Sequence, residues 1–409
     1  EATRFEVDVS VDERTLREVY LPQFQMAVSR GRVGTVMSAY NQVNGHFCSQ
    51  NQHLLRDILK GEWGFEGLVV SDWIFGVQDT VAAAEGGLDI EMPNARVFGE
   101  PLVDAVRDGT VAESVIDEAV GRILRVKFCF DVDASNAKFA DRVESTTHAQ
   151  LALEAARQGS VLLRNENTAL PIDRTEVKSV VVVGPLAKIS NIGDEGSSAV
   201  KPSRTVNPLD GIRAAAGDVA VSYIEGADGL TEEEKEQVRN ADAAILVVGL
   251  GAKDEGEGVI GAGDRGSLAL RDTQNSLVLE VAAVNSRTIV VLEGGGAMLV
   301  EPWVEKVQAL LLAWYPGQEG GTAIAELLFG DAVPSGKLPV SFPRSEADLP
   351  EFDNVNKAVT YHALHGYRHL DRTKVAPRYP FGFGLSYTTF KYGDGRRTSE
   401  TFPVECADC

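Results

Sequence analysis

Four short, almost wholly apolar runs constrain this chain more than anything else in it. They are Ser179 to Val183, Ala243 to Val248, Thr288 to Leu292 and Ala309 to Ala313. Strands that read apolar on both faces need cover on both faces. That predicts a parallel or mostly parallel sheet with helices packed on each side. Helical stretches lie between the runs, notably Thr231 to Arg239 and Asp272 to Ala283. Residues 159–343 are therefore expected to form an α/β/α sandwich domain.

The first 130 residues alternate helix and strand in another way. Ser10-Val11-Asp12-Glu13 has the form of a capping box. It would open a helix with apolar positions Leu16, Val19, Tyr20, Phe24 and Val28, kinked at Pro22. A strand at Gly34 to Tyr40 follows, then a helix near Leu54 to Lys60 and a buried strand at Leu68 to Ser71. A helix from Gly76 to Gly86, a short strand from Leu88 to Met92 and a helix from Ala112 to Phe128 complete the stretch. Strand–helix alternation indicates parallel βα units. About three strands fit here, where a closed eight-stranded barrel takes about 250 residues. The reading is the C-terminal part of a (β/α)8 TIM-type barrel, residues 1–130, with its front half missing. A linker at 131–158 and a loop-rich extension at 344–409 complete the predicted organisation.

Charge narrows the partners. The chain has 39 basic and 60 acidic residues among 409, a net charge of −21. This excludes binding to nucleic acid, whose phosphates need a basic surface, and to anionic membranes. No apolar run reaches the length of about 18 residues that a membrane helix needs. A neutral or cationic small molecule fits, and association into a homo-oligomer is left open. The chain begins at Glu1, so the sequence assigns no compartment, cytoplasmic or exported. Cys406 and Cys409 form one CxxC without the further ligands of a zinc site. The spacing of His362, His365 and His369 lacks an acidic partner, and no metal or organic cofactor is expected.

The chemistry points to carboxylates. Asp72 closes the apolar strand Leu68 to Ser71, where a charge is costly unless it is solvated, paired or used. An acid at the C-terminal end of a barrel strand reads as catalytic. The neighbouring strand ends place Tyr40, Asn41, Asp89 and Glu91 on the same rim, with Asp89 and Glu91 singly read as ordinary solvated charges. Trp73 could stack on the apolar face of a sugar. A glycine-rich loop after Ala243 to Val248 carries Asp254, Glu255 and Glu257. Its spacing does not open a helix as a dinucleotide loop does, and its acids would repel a pyrophosphate. Retaining hydrolysis of a glycoside needs two carboxylates about 5–5.5 Å apart. One acid at a barrel rim and one on a loop of the adjoining domain would meet that need across a cleft.

Several segments are similar to those of glycoside hydrolase family 3. They include Met37-Ser-Ala-Tyr-Asn-Gln-Val-Asn-Gly45, Leu59-Lys-Gly-Glu-Trp-Gly-Phe-Glu-Gly-Leu-Val-Val-Ser-Asp-Trp73 and Ala84-Glu-Gly-Gly-Leu-Asp-Ile-Glu-Met-Pro93. Farther along come Gly159-Ser-Val-Leu-Leu-Arg-Asn165, Gly193-Asp-Glu-Gly-Ser-Ser198, Trp314-Tyr-Pro-Gly317, Gly336-Lys-Leu-Pro-Val-Ser-Phe342 and Tyr379-Pro-Phe-Gly-Phe-Gly-Leu-Ser-Tyr-Thr-Thr-Phe390. The resemblance is to bacterial β-glucosidases of that family. It implies Asp72 as nucleophile and Glu257 as acid/base, with Glu255 kept as the alternative. It also implies Arg4, Met37, Tyr40 and Trp73 around the sugar. Removal of terminal non-reducing β-D-glucosyl residues by double displacement is the activity implied. A β-xylosidase or related exo-glycosidase, or an inactive fragment or sugar-binding relic, stays open. The family's Lys-His motif and two hydroxyl-binding residues precede the segment matching Glu1 and are absent here. The 409-residue chain alone is thus expected to turn over little and to aggregate or pair.

Overall fold

The computed structural model describes residues 3–130, 145–193, 196–257, 265–389, 391 and 393. The CxxC and much of the expected linker lie outside these residues. The first region opens with strand β1 (Asp8–Ser10). Ser10 belongs to this strand, its carbonyl accepting from Tyr361 N–H at 2.9 Å. The expected capping box therefore fails, and Asp12 caps instead, accepting from Thr15 N–H at 2.9 Å. A short helix (Glu13–Thr15) runs into a π-helical turn (Leu16–Tyr20). Pro22 then starts a new helix, Pro22–Ser29, at the position where its missing N–H costs nothing.

Strands β2 (Thr35–Met37), β3 (Gln42–Val43), β4 (His46–Phe47) and β5 (Leu68–Val70) follow. β2 and β5 pair in parallel, Met37 opposite Val70, so their carboxyl ends face the same way. The strand expected at Leu88 to Met92 shrinks to a single parallel bridge between Val70 and Ile90. Beyond it the chain turns away, and Glu91 Oε2 brackets the turn by accepting Val97 and Phe98 N–H, both at 2.7 Å. Leu55, Leu59, Phe65, Val69 and Leu88 form the core beneath these strands. Helices Pro22–Ser29 and Glu113–Cys129 carry no buried residue, and Phe24, Met26, Val120, Leu124 and Phe128 are exposed. These are the parallel βα units of the C-terminal part of a barrel.

The second region is a six-stranded sheet. Its strands are β6 (Val161–Asn165), β7 (Ser179–Val183), β8 (Ala220–Ile224), β9 (Ala243–Gly249), β10 (Thr288–Glu293) and β11 (Ala309–Trp314). They lie in the order β6-β11-β10-β9-β7-β8, with β6 antiparallel and the rest parallel. Successive side chains alternate between two cores, as the period of a strand requires. Val181, Leu246, Val290 and Leu310 pack on the side of helix Asp272–Val284. Val180, Ile245, Val291 and Leu311 pack on the side of helices Pro208–Ala215 and Gly320–Phe329. This is the expected α/β/α sandwich. The strand order reverses between β7 and β9, and in open sheets of this kind ligands gather at the carboxyl ends near such a point.

The C-terminal segment joins both regions. Phe342 bridges Tyr379 and Leu162 bridges Leu385, holding it to the sandwich. Its strand β12 (Ala358–Thr360) pairs in parallel with β1, Asp8 opposite Ala358. The N-terminal strand that follows Arg4 is thus anchored by residues 350 positions away in sequence.

Candidate active site

β5 delivers Asp72. Ser71 is buried and ties the strand end to its neighbour, donating its N–H to Ile90 O and accepting Met92 N–H on Oγ, both at 2.9 Å. Asp72 then emerges half-buried, with Trp73 N–H donating to its Oδ1 at 2.6 Å. The next turn is strained. Ile74 has φ +69°, a left-handed conformation that branched side chains rarely take. Such strain persists only where surrounding structure enforces it, and it is commonest at functional sites. Gly76 completes the turn, because a Cβ there would run into the Asp72 backbone.

Tyr40 sits beside Asp72 and donates its hydroxyl to Trp73 O at 2.8 Å. Burial first, and then the Asp72 carboxylate, push its phenol up to about 12. Arg4 and Glu257 also act on that phenol, with opposite signs. The ring packs edge-on against Phe5 at 4.7 Å, and Phe5 in turn against Phe75 at 5.2 Å. Arg4 lies over the Phe5 ring at 4.9 Å and reaches Glu257 Oε1 at 3.2 Å. Phe5 was not legible as a site residue, since an isolated aromatic gives no signal of what it will hold.

Glu257 comes from the loop after β9. Its second oxygen accepts Ser197 N–H at 2.7 Å. It lines an open groove of about 560 Å³ with Ser198, Glu255, Arg265 and Tyr315. Glu255 is directed elsewhere, into the sandwich. Its Oε2 accepts Gly295 N–H at 2.6 Å and the Tyr315 hydroxyl, and Oε1 lies 3.2 Å from Arg265 Nε. A larger cavity of about 650 Å³ lies at the β7/β9 reversal, but the acid lining it, Asp254, is paired with Arg271.

Asp72, Tyr40, Arg4 and Glu257 therefore converge. Trp73 and Met37 stand close in sequence to this cluster, with exposed side chains, and Trp73 joins it through its backbone. Asp89 and Glu91 do not belong to the rim. Asp89 is buried, bound to Lys60 Nζ at 2.9 Å and Val69 N–H at 2.7 Å, so it is neither a site acid nor a solvated charge. Asn41 turns its amide to Gln42 O at 2.9 Å. His365 packs against Tyr20 with ring centres 5.7 Å apart, and His369 lies in helix Tyr367–Thr373. Among the described residues no helix is long and apolar enough to cross a membrane.

Comparison with known proteins adds independent findings. Residues 5–126 match the glycosyl hydrolase family 3 N-terminal domain, and residues 160–387 match the glycosyl hydrolase family 3 C-terminal domain. The chain is 38% identical to thermostable β-glucosidase B of Acetivibrio thermocellus, over 96% of this chain and 53% of that one. It is 35% identical to a β-xylosidase of Formosa agariphila, over 94% of this chain and 57% of that one. Its fold superposes on the crystal structure of a β-D-glucoside glucohydrolase from Trichoderma reesei with a TM-score of 0.88 at 32% identity, covering 96% of this chain and 59% of that one. The chain spans about half the length of the curated relatives it matches.

Proposed function

The chain belongs to glycoside hydrolase family 3, and from that premise we propose that its cleft removes terminal β-D-glucosyl residues with retention of configuration. The observation that carries this reading is the chain of contacts from Tyr40 beside Asp72, through the Phe5 ring, to Arg4 and its ion pair with Glu257. Asp72 is the nucleophile. Its carboxylate attacks the anomeric carbon as the glycosidic bond breaks, and a glycosyl ester forms. Glu257 gives its proton to the departing oxygen. Water then attacks the anomeric carbon, loses a proton to Glu257 and displaces the Asp72 carboxylate. Tyr40, with its proton held firmly, supplies a fixed donor beside the nucleophile. Met37 and Trp73 supply apolar surface for the ring face.

Arg4 holds Glu257 in place across the two regions, its guanidinium 3.2 Å from Oε1. Glucose is favoured over xylose by the relatives' stated activities rather than by a contact in the cleft. The test is the pair Asp72→Ala and Glu257→Ala on aryl β-glucosides, each made in the full-length parent protein. Asp72→Ala should lose turnover by a factor of about 10³ or more, the scale expected when a covalent nucleophile is removed. Azide should restore turnover in Glu257→Ala with an activated leaving group and yield β-glucosyl azide. An Asp72→Ala protein as active as the parent would refute the assignment.

A further inference from the structure

We propose that Glu255 is a positioning residue, which pins the loop after β9 to the ends of β10 and β11 so that Glu257 faces Arg4 and Asp72. The inference rests on the reading of Glu257 given above and gives the alternative acid a different job.

Three acids lie within four residues on this loop, Asp254, Glu255 and Glu257. Left alone they repel one another and the loop has no preferred course. Each instead meets a different arginine. Asp254 pairs with Arg271 beside helix Asp272–Val284, Glu255 with Arg265, and Glu257 with Arg4 of the first region. The three cations pull in three directions, and the loop's path is the one that satisfies them all. Glu255 is the one tied to strand ends, since two of its donors are neutral groups there. Gly295 follows β10 and Tyr315 follows β11. A Cβ at Gly295 would lie 2.8 Å from the Tyr315 ring and 3.2 Å from Glu255 Oε2, so the clamp closes only on a glycine. Arg265 is fixed in turn by donating to Ala297 O at 2.8 Å. Burial, and next to it the Glu255 carboxylate, push the Tyr315 phenol up, so it stays a donor to Glu255.

The geometry separates the two acids by what they bond. Glu255 bonds Gly295, Tyr315 and Arg265 within the sandwich, and Glu257, two residues on, bonds Arg4 of the first region and Ser197 N–H. Loss of the clamp should leave the acid/base present but loosely placed, which affects proton donation more than sugar binding.

The experiment compares wild type with Glu255→Ala, Glu255→Gln and Tyr315→Phe, using aryl β-glucosides of graded leaving-group ability. A misplaced acid matters most when the leaving group needs a proton. In Glu255→Ala, kcat/KM, which reports the first step, should fall by about tenfold or more on the phenyl glucoside, against under about threefold on the 2,4-dinitrophenyl glucoside. Tyr315→Phe should shift the series in the same sense and less. An equal fall across the series would mean a general structural role and overturn the proposal, as would no fall. Azide rescue in Glu255→Ala rather than Glu257→Ala would make Glu255 the acid/base and overturn it too. Hydrogen exchange of the peptide spanning 250–257 gives a readout without turnover. It should quicken by about tenfold or more in Glu255→Gln while β9 and β10 stay protected. Unchanged exchange there refutes the clamp whatever the activity. A full-length parent that cleaves no glycoside, with the exchange test passed, would sink the functional reading and leave Glu255 holding the loop.

Discussion

Glu293 ends β10 directly before the Gly294-Gly295 turn that receives Glu255, and it has no exposed surface at all. Neither carboxyl oxygen has a hydrogen-bond partner among the described residues. Asn191 beside it turns its amide N–H to Leu250 O at 2.8 Å. Burial pushes the Glu293 carboxyl up to about 8 from an ordinary 4.5, with Asn191 pulling weakly the other way. The sign of the consequence follows from proton counting. Between pH 4.5 and 8 the unfolded chain has released this proton and the native chain keeps it. Stability contributed through this group is therefore full at low pH and declines as pH rises through the window. The slope reaches about 1.4 kcal/mol per pH unit, so the loss between pH 5 and pH 8 is about 3.5 kcal/mol. Glu293→Gln removes the titration and keeps the shape. Its buried amide costs a few kcal/mol at most, and that cost does not vary with pH. Urea unfolding of both proteins at pH 5, 6, 7 and 8 checks this through tryptophan fluorescence, Trp303 and Trp314 both lying in the sandwich. The stability of Glu293→Gln relative to wild type should climb steadily with pH. Two parallel pH profiles would refute the claim that Glu293 is buried with its proton. The same ionisation should loosen the loop, because Leu250 N–H donates to Glu293 O at 2.8 Å where the loop begins.

Two further predictions concern buried charge. Lys60 and Asp89 are both buried and 2.9 Å apart, and burial pushes the lysine down and the aspartate up despite their attraction. Lys60→Met or Asp89→Asn alone should cost about 3–5 kcal/mol in denaturant unfolding, and a Lys60→Met/Asp89→Asn double variant, which keeps an acceptor for Val69 N–H, should recover most of it, because the lone charge left behind is the main penalty. Two single losses that simply add would contradict that. Second, Asp72→Asn should lower the Tyr40 phenol from about 12 without bringing it to an exposed tyrosine's value, since burial is the larger cause. Ultraviolet titration of tyrosinate, with Tyr40→Phe to assign the signal, reads this directly. An unmoved phenol would mean that Asp72 and Tyr40 are not neighbours.

What the sequence disclosed depended on how local the cause was. β7, β9, β10 and β11 are legible because each is apolar on both faces, and that pattern is fixed by burial of the strand itself. β8 escaped notice because Ala220 to Ile224 is an edge strand, covered on one side and interrupted by Ser222. β6, the opposite edge, is short and ends in Arg164 and Asn165, so its apolar run is only Val161 to Leu163. Asp72 was visible for a local reason too, a charge closing an apolar run. Asp89 looked the same and was misjudged. Its partner Lys60 comes from a helix 29 residues earlier, and nothing in the aspartate's own surroundings announces it.

The choice between Glu255 and Glu257 shows where local reasoning stops. Both are glutamates beside glycine on one loop, and spacing alone treats them alike. Their roles diverge through two arginines from distant parts of the chain. Arg265 claims Glu255 for the sandwich, while Arg4, 253 residues away, draws Glu257 across the groove. Arg4 in turn owes its place to the β1–β12 pairing and to stacking over Phe5. The direction in which an acid points is therefore set by a cation whose own position depends on the far end of the chain. Weakening β12 should then disturb Glu257 before it disturbs Asp72, whose setting is built from its own strand and the turn at Ile74.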